Sequence, residues 1–200
     1  MASSWVAIAN AALIKLGAQT IISLDDNVKS ARLCQARYEE CRDIVLRKHI
    51  WNCALKRVQL APLTETPAFD WTYLFELPAD FIRVAKIGPL DPDYKVEGRK
   101  LLANTNQLDL KYIYRVTDPV QLDILCAEAI ACYLAFDISF SLTQSESVRQ
   151  DMAKLFVDAL RSAKSADAKE EMAEEIIADE FVDARINPLH WSRVDNKLAI

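Results

Sequence analysis

The sequence predicts an α+β fold, mainly helical: a four-helix bundle with an inserted small antiparallel β-region and an extended C-terminal tail. Three observations predict it. Apolar residues recur at three-and-four spacing toward both ends of the chain, within about 4–49 and 120–163. Between them, at about 51–117, short β-branched and aromatic runs alternate with turn residues. Beyond about residue 175, apolar anchors continue without a periodic partner. The expected organisation is therefore 1–175 for the helical body with its β insertion, and 176–200 for a C-terminal extension.

The first helix is expected over 4–17, with Trp5, Ile8, Ala9, Ala12, Leu13 and Leu16 on its inner side and Gly17 as the stop. Asn27 is placed to cap a second helix over about 28–49, whose inner stripe is Ala31, Cys34, Tyr38, Cys41 and Val45. The strand candidates are 51–60, YLFEL at 73–77, FIRVAKIG at 81–88, YKVEG at 94–98, KLLA at 100–103 and LDLKYIYRVT at 108–117. They suggest one sheet of four to six strands, with Asn104-Thr105-Asn106 as a hairpin loop. Asp118-Pro119 starts the return to helix. The third helix, at 120–141, carries Leu122, Leu125, Ala129, Cys132 and Phe136 and is apolar on several sides, so it should be the most buried. Thr143 or Ser145 can cap the fourth, with Val148, Met152, Leu155, Ala159 and Ala163 facing inward.

Composition excludes several chemistries. Three glycines, none clustered, cannot build a phosphate loop or a dinucleotide fingerprint. A net charge of −5 runs against gripping duplex DNA, which needs a basic excess, but would suit a surface past which DNA slides. The five cysteines (34, 41, 53, 126 and 132) form no CxxC pair and read as reduced core residues. With only two histidines, no metal site and no cofactor are expected. No basic region followed by a long apolar run opens the chain, and no run of roughly 18 uncharged apolar residues suggests a membrane span.

Candidate sites are few. His49 reads as a helix-end residue favoured by the dipole, or as a general base without an evident partner. Asp25-Asp26 and Glu39-Glu40 read as caps or solvated faces, since adjacent helical residues diverge by about 100°. A hydrolase would need carboxylates from separate segments, such as Asp25, Glu97 and Asp109. No catalytic residue is assigned. A basic run (including Lys29, Arg32, Arg37, Arg42, Arg47, Lys48, Lys56 and Arg57) contrasts with an acidic one over 167–183. Both could be solvated faces. The functional alternative pairs Arg37, Arg42 and Arg47 of one subunit with Glu171, Glu174 and Glu175 of the next, a head-to-tail contact that closes into a ring. The tail segment Ile186, Pro188, Leu189, His190, Trp191 and Val194 either folds back on its own core or inserts into a partner.

The order of segments resembles a family, the tail tubular (head-to-tail adaptor) proteins of short-tailed bacteriophages. The stretches that carry the resemblance are NAALIKLGAQTIISLDD, YEECRDIVLRKHIWNCA, FELPADFIRV, DYKVEGRKLLAN and YIYRVTDP, over about residues 5–172. The tail after about 175 does not match. The resemblance implies a structural virion protein, made in the host cytoplasm and built into the tail at the portal vertex. It implies a ring, commonly dodecameric, between the portal protein and a tubular-protein-B-like nozzle. DNA would pass through that ring without specific binding, and no membrane is involved. On that footing Leu77, Pro78 and Phe81 would contact the next ring component. The tail around Trp191 would clip onto the portal or a neighbour. The rival reading is a cytosolic helical protein-interaction module or regulator.

Overall fold

A computed structural model describes residues 4–88 and 92–170 of the chain. Those residues hold four α-helices and six strands, so the fold is α+β, and every strand lies between the second and third helices.

Helix α1 spans Trp5–Lys15. Its N-cap is Ser4, whose Oγ accepts from the Ala7 amide at 3.0 Å. Its end is a Schellman motif. Gly17 takes φ +66°, its amide donates to Ile14 O, and the Ala18 amide donates to Leu13 O. The connector that follows is pinned back on α1 by Asn10, which exchanges two side-chain bonds with the Ile21 backbone at 2.8 and 2.9 Å. Asp26 accepts from the Ile22 and Ser23 amides, a local turn function for that carboxylate.

Helix α2 spans Lys29–Arg47, with Val28 rather than Asn27 at the N-cap and no side-chain cap bond. The expected stripe holds: Ala31, Cys34, Tyr38, Cys41 and Val45 are all buried. Helix α3, Ile124–Thr143, starts four residues later than the pattern suggests. Asp118-Pro119 instead opens a single 3-10 turn, Pro119–Gln121, and Asp123 caps α3 by accepting from the Leu125 and Cys126 amides. Helix α4, Glu146–Asp167, is capped by Ser145.

The third helix is the central one. It lies against α1, α2 and α4, and half of its residues are buried. Small side chains allow this close approach: Ala127, Ala129, Ala131, Ala135, Cys126 and Cys132. Its two acids are neutralised from neighbouring helices, Glu128 by Lys15 at 2.8 Å and Asp137 by Arg37 at 2.7 Å. By length and composition α3 is apolar enough to cross a membrane, but half of the window concerned is buried among the other elements, as a core helix requires. Two inner-face assignments need correction. Leu125 and Leu155 are 37% and 38% exposed, and on α4 the buried positions are Phe156, Ala163 and Asp167.

The β-region forms two antiparallel three-stranded sheets, not one. The first, in order β1-β6-β3, joins Leu55–Leu60, Leu108–Tyr114 and Phe81–Ile87. The second, in order β2-β5-β4, joins Tyr73–Glu76, Lys100–Ala103 and Tyr94–Glu97. Asn104-Thr105-Asn106 is therefore no hairpin loop, because β5 and β6 belong to different sheets. The true hairpin is β4–β5, whose two-residue turn Gly98-Arg99 places glycine at φ +59° in its first central position.

The two sheets share a core of Phe75, Leu77, Ile87, Leu101, Leu108, Leu110 and Tyr112. Alternation along β6 joins it to the helices. Leu108, Leu110 and Tyr112 enter the β core, while Ile113, on the opposite face, enters the helical core with Trp51, Ala54, Ile82 and Val116. A one-residue slip of β6 would turn Leu108 and Leu110 to the side of exposed Asp109 and would swap Tyr112 and Ile113 between the two cores.

Candidate functional site

An open cleft of about 550 Å³ lies where the end of α2 meets the two sheets. Arg47, Arg83 and Arg99 line it, together with Phe81, Tyr94 and Val96. Three separate local structures supply the arginines. Arg47 is the last residue of α2, Arg83 lies on β3, and Arg99 sits in the β4–β5 turn next to Gly98.

The guanidinium groups are held by backbone carbonyls, not by acids. Arg47 Nη1 donates to Ile82 O at 2.6 Å, and Arg83 Nη1 donates to Arg47 O at 2.9 Å. This reciprocal pair ties α2 to β3. Arg99 Nη2 donates to Leu77 O at 3.1 Å and to Pro78 O at 2.5 Å. Among the described residues no Asp or Glu lines the cleft. A carbonyl fixes the orientation of a guanidinium but leaves its charge unneutralised and most of its five donors open. Such an arrangement can accept oxyanions, and Phe81, Tyr94 and Val96 add apolar lining.

The basic residues of the helices are used differently. Arg37 bonds Asp137 through Nε at 2.7 Å and also pairs with Glu40, and the hydrogen bond to Asp137 raises its pKa further. Arg42 is 3% exposed, lies over the Trp5 ring and bonds Asp43 at 2.9 Å. Of the three arginines expected at a basic subunit edge, Arg47 is the one whose charge no carboxylate matches among the described residues. Its acidic counterparts Glu171, Glu174 and Glu175 lie outside the described residues, as do Ile186, Pro188, Leu189, His190, Trp191 and Val194.

Leu77 and Pro78 follow β2, and Phe81 opens β3. Leu77 is buried in the β core, and Phe81 stacks on Tyr112 with ring centroids 5.9 Å apart. Their backbone carries part of the cleft, since the Leu77 and Pro78 carbonyls hold Arg99.

His49 has the acid partner that the sequence did not reveal. Its Nε2 lies 3.1 Å from Asp167 Oδ2, and its ring meets Trp51 edge-on. Asp167 Oδ1 also accepts from the Asn52 amide, and Asn52 Nδ2 donates to the Asp167 carbonyl, both at 3.0 Å. Asp167 is nearly buried, so the cluster clasps the end of α4 to the segment joining α2 and β1.

Nearby, a hydrogen bond with Cys126 holds the Cys53 thiol below its ordinary pKa and pushes Cys126 well above. Burial raises Cys34 to about 11, Cys41 to about 12 and Cys132 to about 11, which keeps these thiols protonated.

The carboxylates considered for a hydrolase have separate partners. Asp25 accepts from Gln35, Glu97 pairs with Lys95, and Asp109 accepts from Gln59. Among the described residues no group of three or more His, Cys, Asp or Glu is placed to hold a metal ion.

Arg83 and Arg99 are the site residues that sequence reasoning missed. They lie 16 positions apart and 36 or more from Arg47, so no spacing rule joins them. The one local signal is a charged residue immediately after the hairpin glycine. No protein-family model matches the chain, and no curated protein is significantly similar to it.

Proposed function

We propose that the chain is a head-to-tail adaptor of a short-tailed bacteriophage, a non-enzymatic virion subunit. Copies form a ring between the portal and a tail nozzle and enclose the DNA channel. The helices act as a four-helix bundle, the rigid body of each subunit. The β-region supplies contacts to neighbouring components, and the extension 176–200, with its Trp191 anchor, clips onto the portal or an adjacent copy.

One observation carries the reading. The six strands of the described residues are inserted between α2 and α3 and form a second apolar core, and the cleft beside them holds three arginines that no carboxylate among the described residues neutralises. A helical body bearing such an insertion suits a part that must hold its own shape while touching a partner. Three of the five stretches that carry the resemblance fall within this insertion. FELPADFIRV spans β2 to β3, DYKVEGRKLLAN spans the β4–β5 hairpin, and YIYRVTDP spans the end of β6 and the turn before α3.

Native mass spectrometry of the full chain, alone and mixed with a portal ring from the same genome, tests the reading. A closed oligomer, or many copies loaded per portal, is expected. A monomer that ignores the portal would sink it.

A second reading draws on exposed apolar residues of the last two helices, Phe140 at 51%, Leu155 at 38% and Val157 at 51% exposed. That surface would suit a cytosolic module binding one helical partner. A single defined partner at equal stoichiometry, and no ring, is its signature.

A further inference from the structure

We infer that the Arg47–Arg83–Arg99 cleft receives the acidic stretch 170–183 of a second copy of this chain, an inference that rests on the ring reading above. The cleft asks for several carboxylates at once. Its three guanidiniums are oriented by the carbonyls of Ile82, Arg47, Leu77 and Pro78, and none is paired with an acid among the described residues. Elsewhere in the described chain a cationic side chain typically meets a carboxylate, as Arg37 meets Asp137, Arg115 meets Asp43 and Lys56 meets Asp80. Three unneutralised guanidiniums around one cleft repel one another, and an incoming polyanion relieves that repulsion.

The sequence 170–183, EEMAEEIIADEFVD, holds seven carboxylates and no lysine or arginine. Ile176, Ile177, Phe181 and Val182 are interspersed among them. That mixture matches a cleft lined by guanidiniums together with Phe81, Tyr94 and Val96. Tyr94 and Val96 are 41% and 40% exposed, so apolar surface is open to a ligand side chain.

The surroundings favour a peptide over a nucleic acid. The cleft is walled by β3 and β4, which are edge strands of their sheets, and β4 is exposed along its whole length. An edge strand offers alternating backbone amides and carbonyls, a ladder that a peptide backbone can pair in full, whereas a phosphodiester has acceptors for the amides but no donor for the carbonyls. The donor and acceptor patches differ, so the contact is heterologous and propagates head to tail, as a ring requires. This also revises which arginines face the neighbour: Arg47 with Arg83 and Arg99, in place of Arg37 and Arg42.

Two measurements test the inference. In the first, a fluorescent synthetic peptide of residues 170–183 is titrated into the full chain. Binding is expected to weaken by at least about tenfold in Arg83→Glu/Arg99→Glu, and duplex oligonucleotide at equal negative charge should not displace it. Should the Glu pair lower the melting temperature, Arg83→Gln/Arg99→Gln serves in its place. Peptide binding that ignores both pairs, or ready displacement by the oligonucleotide, overturns the assignment.

The second measurement is complementation by native mass spectrometry, with the portal present if it is needed for assembly. Arg83→Glu/Arg99→Glu and Glu174→Lys/Glu175→Lys should each fail to assemble alone and should co-assemble when mixed, since each then supplies what the other lacks. Assembly indifferent to both variants keeps the adaptor reading and overturns the cleft contact. Peptide binding lost in the cleft variant, with no ring formed under any condition, keeps the contact and overturns the adaptor reading.

Discussion

The helix contacts around α3 and the cleft beside the β-region settle their charges in opposite ways. Around α3, cations meet acids across the helix contacts, Lys15 with Glu128 and Arg37 with Asp137, and Arg42 is buried over Trp5 beside Asp43. In the β-region, Arg83 and Arg99 end on backbone carbonyls. The cores differ as well. The helices approach through Ala9, Ala12, Ala31, Ala129 and Ala135, whereas the sheets fill their interior with Phe75, Leu101, Leu108 and Tyr112. A guanidinium oriented by a carbonyl keeps its charge and several donors open, which one matched to a carboxylate does not.

The largest expected effects test whether the two cores unfold together. Leu134 and Phe75 are both fully buried, one in each core. Leu134→Ala should cost about 2–5 kcal/mol and Phe75→Ala about 3–5 kcal/mol, from lost burial and the cavity left behind. Because β6 contributes Ile113 to the helical core and Tyr112 to the β core, both variants should lower one common melting transition. Circular dichroism at a helical wavelength, compared with tyrosine fluorescence, checks this. Two separate transitions in Phe75→Ala would show that the β-region opens by itself.

Next in size is the clasp at the end of α4. Asp167→Ala strands the Asn52 amide and the His49 ring, both part-buried. A loss of about 1–3 kcal/mol is expected, the cost of leaving donors without acceptors. Urea denaturation measures it, and hydrogen exchange should show the last turn of α4 opening first. A variant indistinguishable from the parent would mean that solvent replaces the carboxylate there.

How far the sequence could be read follows from which forces are local. The helices were legible because burial repeats along one segment: the whole α2 stripe is buried as expected, as are the caps and stops set by Ser145 and Gly17. The strands were legible as runs, but not their partition into two sheets, because pairing partners lie far apart in sequence. Leu55 faces Ile113, and Tyr73 faces Ala103. The α3 start was misplaced because Asp118 and Asp123 both look like caps and only packing selects between them. Of the cleft, Arg47 was legible as part of a basic run. Its companions Arg83 and Arg99 arrive through tertiary folding, as does the meeting of His49 with Asp167.

A smaller effect sharpens the view of the cleft wall. Gly98 holds φ +59° at the β4–β5 turn, and a Cβ there would meet nothing within 4 Å. Gly98→Ala therefore carries a purely backbone penalty, about 1–2 kcal/mol for the left-handed region. Thermal melting should register it, and the shift of Arg99 should weaken peptide 170–183 binding more than Leu134→Ala does at a temperature where both remain folded.

The smallest effect concerns pH. Burial opposes ionisation of Asp80, yet the bond from Lys56 Nζ at 2.6 Å and that from the Tyr112 hydroxyl at 3.0 Å outweigh it, and the carboxyl is held below its usual range. The same contact, added to burial, pushes Tyr112 up to about 12. A carboxyl whose pKa is depressed by folding contributes stability above its unfolded value, about 3.9, and loses it as pH falls through the folded value. Lys56 is 45% exposed, so the pair is screened by solvent and worth about 1 kcal/mol at most. Asp80→Asn should therefore lower stability by a nearly constant amount at neutral pH. The difference from the parent should begin to shrink as pH falls past the unfolded value and should close only below the depressed folded value, where the parent carboxyl is itself protonated. Urea denaturation of both proteins between neutral pH and the acid limb reads this directly. A gap that persists unchanged into acid would show that the Asp80 contacts act through shape and not through charge.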